Sequence, residues 1–87
     1  MEKPTIGRIL HFVLPNGDHR PCVIARVWPG EFEAGKEDGY NIQVFADGGN
    51  DSGVNALGDA ARTGIVWRTS VRLDGTCVPG TIHYPER

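Results

Sequence analysis

Long apolar runs, cysteine and basic charge are all scarce in this chain. No segment approaches the ~20 consecutive apolar residues that cross a bilayer, so no membrane span is expected. The opening Met1-Glu2-Lys3-Pro4-Thr5 lacks the apolar core of a secretory leader. Two cysteines, Cys22 and Cys77, cannot build the multi-bridge framework of a small extracellular domain. No partnering His pattern accompanies them, so no zinc site is expected at them. These shortages lead to the expectation of a cytoplasmic protein with reduced thiols, Cys22 being a buried structural one. Lys and Arg number 9 against 11 Asp and Glu, a net charge of −2. That balance excludes the basic footprint of a duplex nucleic-acid binder. The cations are scattered, which leaves convergence of Arg8, Arg20, Arg26, Arg62, Arg68 and Arg72 in space to the fold.

Helical periodicity is scarce too, and short β-type runs take its place. Residues 6–14 are β-branched and aromatic, with Ile9, His11 and Val13 on one face and Leu10, Phe12 and Leu14 on the other. Pro15-Asn16-Gly17-Asp18 is a turn, because Pro presets φ and Asn-Gly accepts positive φ. Residues 21–28 form a second strand, residues 40–46 a third, 64–72 a fourth and 81–84 a last short one. Between the second and third, residues 29–39 read as a charged, glycine-punctuated, solvated loop. Residues 52–63 carry the one helix-like stretch, with Leu57, Ala60 and Ala61 at i, i+3, i+4 and Gly58 weakening it. The expectation is an all-β fold over residues 1–87. It is a single small barrel of four to five antiparallel strands with one short helix in an insertion. A domain of 87 residues buries only about 60% of its unfolded surface, so self-association is expected to supplement a thin core.

The strand that ends Val44-Phe45-Ala46-Asp47-Gly48, with Pro21 to Trp28 before it and Trp67-Arg68-Thr69-Ser70-Val71 after it, resembles the SH3-like barrel of Tudor domains. That resemblance implies an aromatic cage, with Trp28, Phe45 and Trp67 as the aromatic residues available. A second resemblance covers nearly the whole chain. Pro4-Thr5-x-Gly7-Arg8-x-x-His11, Arg20-Pro21 with Arg26-Val27-Trp28, Gln43-Val44-Phe45-x-Asp47-Gly48, Trp67-x-Thr69-Ser70-Val71 and Pro79-Gly80-Thr81-x-His83 are similar to the pattern of a group of small phage and prophage proteins. The resemblance implies an origin in the infected bacterial host rather than a mechanism.

Five candidate chemistries stand beside simpler explanations. Trp28, Trp67 and Tyr84 can stack on a base, worth about 1–3 kcal/mol each, or fill a thin core. Arg26 and Arg68 suit phosphate, and the N–H groups of Gly48 and Gly49 form a nest-like turn. Gln43, Asp47 and Asn50 suit ribose hydroxyls, although Asx residues in turns commonly serve the backbone. Asp47, Asn50 and Asp51 offer oxygen to a hard cation, but their spacing is not that of an EF-hand. His11 and His83 can do acid–base work on a phosphodiester if a barrel brings them together; no nucleophile elbow, P-loop or zinc-hydrolase motif accompanies them. The leading expectation is a non-catalytic counter-defence protein that sequesters a nucleotide-derived host signal in an oligomer. Its ligand-binding residues would be Arg26, Trp28, Gln43, Asp47, Gly48, Gly49, Asn50, Trp67, Arg68, His83 and Tyr84, with no metal or cofactor. The alternatives are a protein-docking inhibitor or virion accessory module, and a cyclic-nucleotide hydrolase using His11 and His83.

Overall fold

The alternation of apolar and polar residues becomes a curved antiparallel sheet in the computed structural model, which describes residues 3–48, 50–51 and 63–85. Its strands are β1 (Ile9–Val13), β2 (His19–Phe32), β3 (Glu37–Phe45), β4 (Ile65–Arg72) and β5 (Ile82–His83). They lie in the order β4-β3-β2-β1-β5, and every ladder between named strands is antiparallel. The sheet curls on itself. Leu73, just past β4, bridges Ile82 of β5, and the Asp74 N–H donates to the Ile82 carbonyl at 2.8 Å. The all-β, barrel-like fold expected from the sequence is therefore present. No α-helix occurs among the described residues, and none of their helical segments is long and apolar enough to cross a membrane. The helix expected over 52–63 falls almost wholly outside the described residues.

The inward faces follow the period of two. Leu10, Phe12 and Leu14 from β1 and its end, Cys22 and Ile24 from β2, Tyr40, Ile42 and Val44 from β3, Val66 and Val71 from β4, and Ile82 from β5 make one core. Val27, Leu73 and Tyr84 pack against its margin. The alternation breaks at three register shifts, between Ile24 and Arg26 and between Trp28 and Phe32 on β2, and opposite Tyr40–Ile42 on β4. Such bulges bend strands and tighten their twist, which is what a short sheet needs in order to close.

Two expectations require correction. The stretch 29–39 is largely exposed, as its charges suggest, but it is not a loop: it is the distal half of a long hairpin, since β2 runs to Phe32 and β3 starts at Glu37. Its charges hold it. Arg72 donates to Glu33 and Glu37 and lies 5.2 Å from the Phe32 ring centroid. The Ser70 hydroxyl donates to Glu31 at 2.6 Å, and the Gly30 N–H donates to Asp38 at 2.9 Å. A tight 3-10 turn, Glu33–Gly35, closes the hairpin with Glu33 and Ala34 at positive φ. The second correction is Trp67. It does not fill the core but sits 54% exposed on the outer face.

Candidate metal centre

The outer face of β5-β1-β2 gathers all three histidines of the chain. The five residues Leu14–Asp18 close the first hairpin, with the Leu14 N–H donating to Asp18 and the Gly17 N–H to Leu14. Gly17 takes φ +91° there, a conformation that favours glycine. This turn sets a register in which His11 faces Pro21 and Val13 faces His19. His19 therefore lies diagonally across from His11. On the other side of β1, His11 faces His83 of β5 directly. Direct and diagonal neighbours on one face are close enough for long side chains to meet.

The imidazoles meet edge to face. Ring centroids are 6.1 Å apart for His11–His19, 5.6 Å for His11–His83 and 4.7 Å for His19–His83. One ring nitrogen from each of the three lies within 4.8 Å of the other two. His83 is 4% exposed; His11 and His19 are half-buried. A fourth group touches the cluster. The Cys77 sulfur is 3.9 Å from Nδ1 and 4.0 Å from Nε2 of His83. Cys77 lies on the loop from β4 to β5 and adopts φ +62°. The preceding residues are pinned by Asp74, whose Oδ1 accepts from the Thr76 N–H and hydroxyl at 2.9 and 2.7 Å. Those bonds hold the exposed Asp74 carboxyl below its usual range.

Three imidazoles drawn from three strands are a nitrogen donor set. Imidazole suits zinc, copper, iron and nickel. Calcium and magnesium call for oxygen, and no carboxylate belongs to this group. In a tetrahedral zinc site with Zn–N of 2.0–2.1 Å, ligand nitrogens stand about 3.3 Å apart. The widest pair here has to close by about 1.5 Å, within the reach of χ rotation in half-buried side chains.

The other residues singled out in the sequence fall in separate places. Arg26, Trp28, Gln43 and Trp67 share the outer face of β2-β3-β4. The Arg26 guanidinium lies 4.0 Å from the Trp28 ring centroid, and Trp28 Nε1 donates to Asn41 at 2.9 Å. Gln43 is the cross-strand partner of Trp67. Arg68 alternates to the other side, where it lines a cleft of about 330 Å³ with Phe12, Pro15, Ser70 and Pro79. Tyr84 lies under Arg8 at 5.4 Å, beyond His83. Gly49 is outside the described residues.

The Asp47–Asp51 turn is built into a structural clamp. Asp51 is 1% exposed. Its two oxygens accept from Arg20 Nε and Nη2, both at 2.7 Å, and one also accepts from the Asp47 N–H. The Arg20 hydrogen bonds hold the Asp51 carboxyl below the usual carboxylate range. Asn50 Nδ2 donates to the Asp47 side chain at 2.9 Å. Asp47 and Asn50 thus bond to each other, and Gly48 sits between them in the same turn.

Sequence reasoning placed His11 near His83 but overlooked the contributions of His19, Cys77 and the Arg20–Asp51 pair. The signal for His19 was available: it stands on the outer parity of β2, one hairpin away from His11. Comparison of the chain with known protein families, with curated proteins and with solved structures finds no match.

Proposed function

We propose that this protein binds a divalent transition-metal ion of the zinc class at His11, His19 and His83. The observation that carries the reading is the convergence of one nitrogen from each of three strands within 4.8 Å. Histidine is the commonest metal ligand, and it binds as the neutral imidazole. Protons compete with the ion for these ligands, so affinity should fall as the pH is lowered. The test is zinc titration of the full chain by calorimetry, with metal content measured after dialysis. One ion per chain, and loss of that binding in both His11→Ala and His19→Ala, is the expected result. A wild-type chain that retains no zinc, or variants that bind as well as it does, would overturn the reading.

A second reading rests on the Arg26–Trp28 pair, a cation held over an indole 4.0 Å away, on the same sheet face as the exposed Trp67. Such a surface suits a base or a phosphate-bearing ligand. It is compatible with a phage-type protein that sequesters a nucleotide-derived signal in an oligomer inside the infected cell. Thermal melts with cyclic nucleotides and ADP-ribose derivatives test it. A melt shift that disappears in Trp28→Ala supports this reading; no shift with any nucleotide removes it.

A further inference from the structure

We infer that Cys77 is the fourth ligand of the histidine centre, so that the ion sits in a closed site of three nitrogens and one sulfur. This inference rests on the three-histidine reading and deepens it. An open, three-ligand zinc site leaves a position for water or substrate, whereas four protein ligands close it. The choice between them decides whether the ion works as a reagent or as a fastening.

Two observations favour closure. The Cys77 sulfur already approaches His83 to 3.9 and 4.0 Å. A tetrahedral site with Zn–S of about 2.3 Å and Zn–N of about 2.0–2.1 Å puts its sulfur about 3.5 Å from each nitrogen. The required movement is thus smaller for Cys77 and His83 than for the widest histidine pair. The thiol otherwise donates only a long 3.9 Å contact to the Gly75 carbonyl, which ligation would exchange for the ion. Second, the loop bearing Cys77 is tied to the same strand that carries His11. The Gly80 N–H donates to the Val13 carbonyl at 2.9 Å, and the Val13 N–H donates to Thr81 at 3.0 Å. The loop cannot drift from the cluster without breaking this ladder.

Cys22 does not compete for the ion. It is fully buried on the inward face of β2, opposite to the histidines, and burial pushes its thiol up to about 12. A metal–sulfur signal from the folded chain therefore reports Cys77.

The test is cobalt(II) titration of the full chain, following the thiolate-to-cobalt charge-transfer band in the near ultraviolet and the visible d–d bands. Wild type is expected to bind one cobalt and to show both. Cys77→Ser is expected to keep its far-ultraviolet circular dichroism and still bind cobalt, but to lose the charge-transfer band. Its affinity should fall by at least the roughly tenfold to hundredfold that loss of an outer-shell partner costs. Stoichiometric cobalt binding by wild type with no charge-transfer band, or an unchanged band in Cys77→Ser, overturns the fourth ligand and leaves the three-histidine site standing. No cobalt binding by wild type overturns both. Alkylation by iodoacetamide gives an independent readout: zinc should slow labelling of Cys77 at least tenfold, and an unchanged rate counts against the sulfur ligand.

Discussion

A carboxylate that is 1% exposed is tolerable only when its lone pairs are taken up, because an uncompensated buried charge costs several kcal/mol. Asp51 meets that condition through the fork of Arg20 and the Asp47 N–H. Replacing it with Asn removes the charge and leaves the guanidinium facing an amide. Because Arg20 keeps about a fifth of its side chain in water, the cost should be near the lower end for such pairs, about 3 kcal/mol, measured by urea denaturation. The sign of the pH dependence follows from the depressed Asp51 pKa. Its contribution is present above the unfolded value of about 3.9 and is lost as pH falls through the lower folded value. Acid melts of wild type should therefore weaken below about pH 4, and the Asn variant should show a flatter acid limb. Thiol reactivity separates the two cysteines at the same scale. With Cys22 buried and pushed up to about 12, iodoacetamide at mild alkaline pH should label Cys77 in the folded chain and both in urea. Labelling of Cys22 without denaturant would contradict the burial described for it.

Adjacent positions on neighbouring strands separate core from face. Ile42, in the middle of β3, has no exposed surface, and its truncation to Ala should cost about 2–5 kcal/mol. Trp67, diagonal to it on β4, stands on the outer face, and Trp67→Ser should cost less than about 1 kcal/mol. Chemical denaturation of the two variants checks both, and a large loss in Trp67→Ser would return that side chain to the core. The same contrast explains what could be read in advance. Period-two runs such as Leu10-His11-Phe12-Val13 announced strands and their faces, because alternation is a local property. The distal half of the β2–β3 hairpin was hidden by Gly30, Gly35, Gly39 and a run of charges. Those charges stay exposed yet make cross-strand pairs with Arg72 and Ser70, visible only once the strands are placed. The metal centre was half legible. Period two put His11 on one face of the first strand with Ile9 and Val13, but His19 lies before the second strand as read at 21–28, and register depends on the hairpin turn. Nothing local states that β5 closes onto β1 with His83 opposite His11, or that the preceding loop turns Cys77 inward against it.

The fold closes through few contacts. β5 has two residues; it pairs with β1 at His11–His83 and Phe12–Ile82 and touches the far side of the sheet through Leu73. A bound ion at this seam should stabilise the whole molecule rather than one loop. At a hundredfold excess over its Kd, zinc should add about 2.7 kcal/mol. For a chain of this size that raises the Tm by roughly 10–20 °C, and the rise should be absent in His19→Ala. A zinc-independent Tm in wild type would mean that the centre does not bind in solution. The antiparallel β1–β5 ladder also has a mechanical consequence. The chain enters β1 and leaves β5 on the same side, so tension applied at the two ends peels the ladder open one bond at a time instead of shearing it. The pair that meets the load first is His11 with His83. An ion gripped by both turns the weakest rung into a rivet, and the rupture force of a single tethered molecule becomes a gauge of metal occupancy.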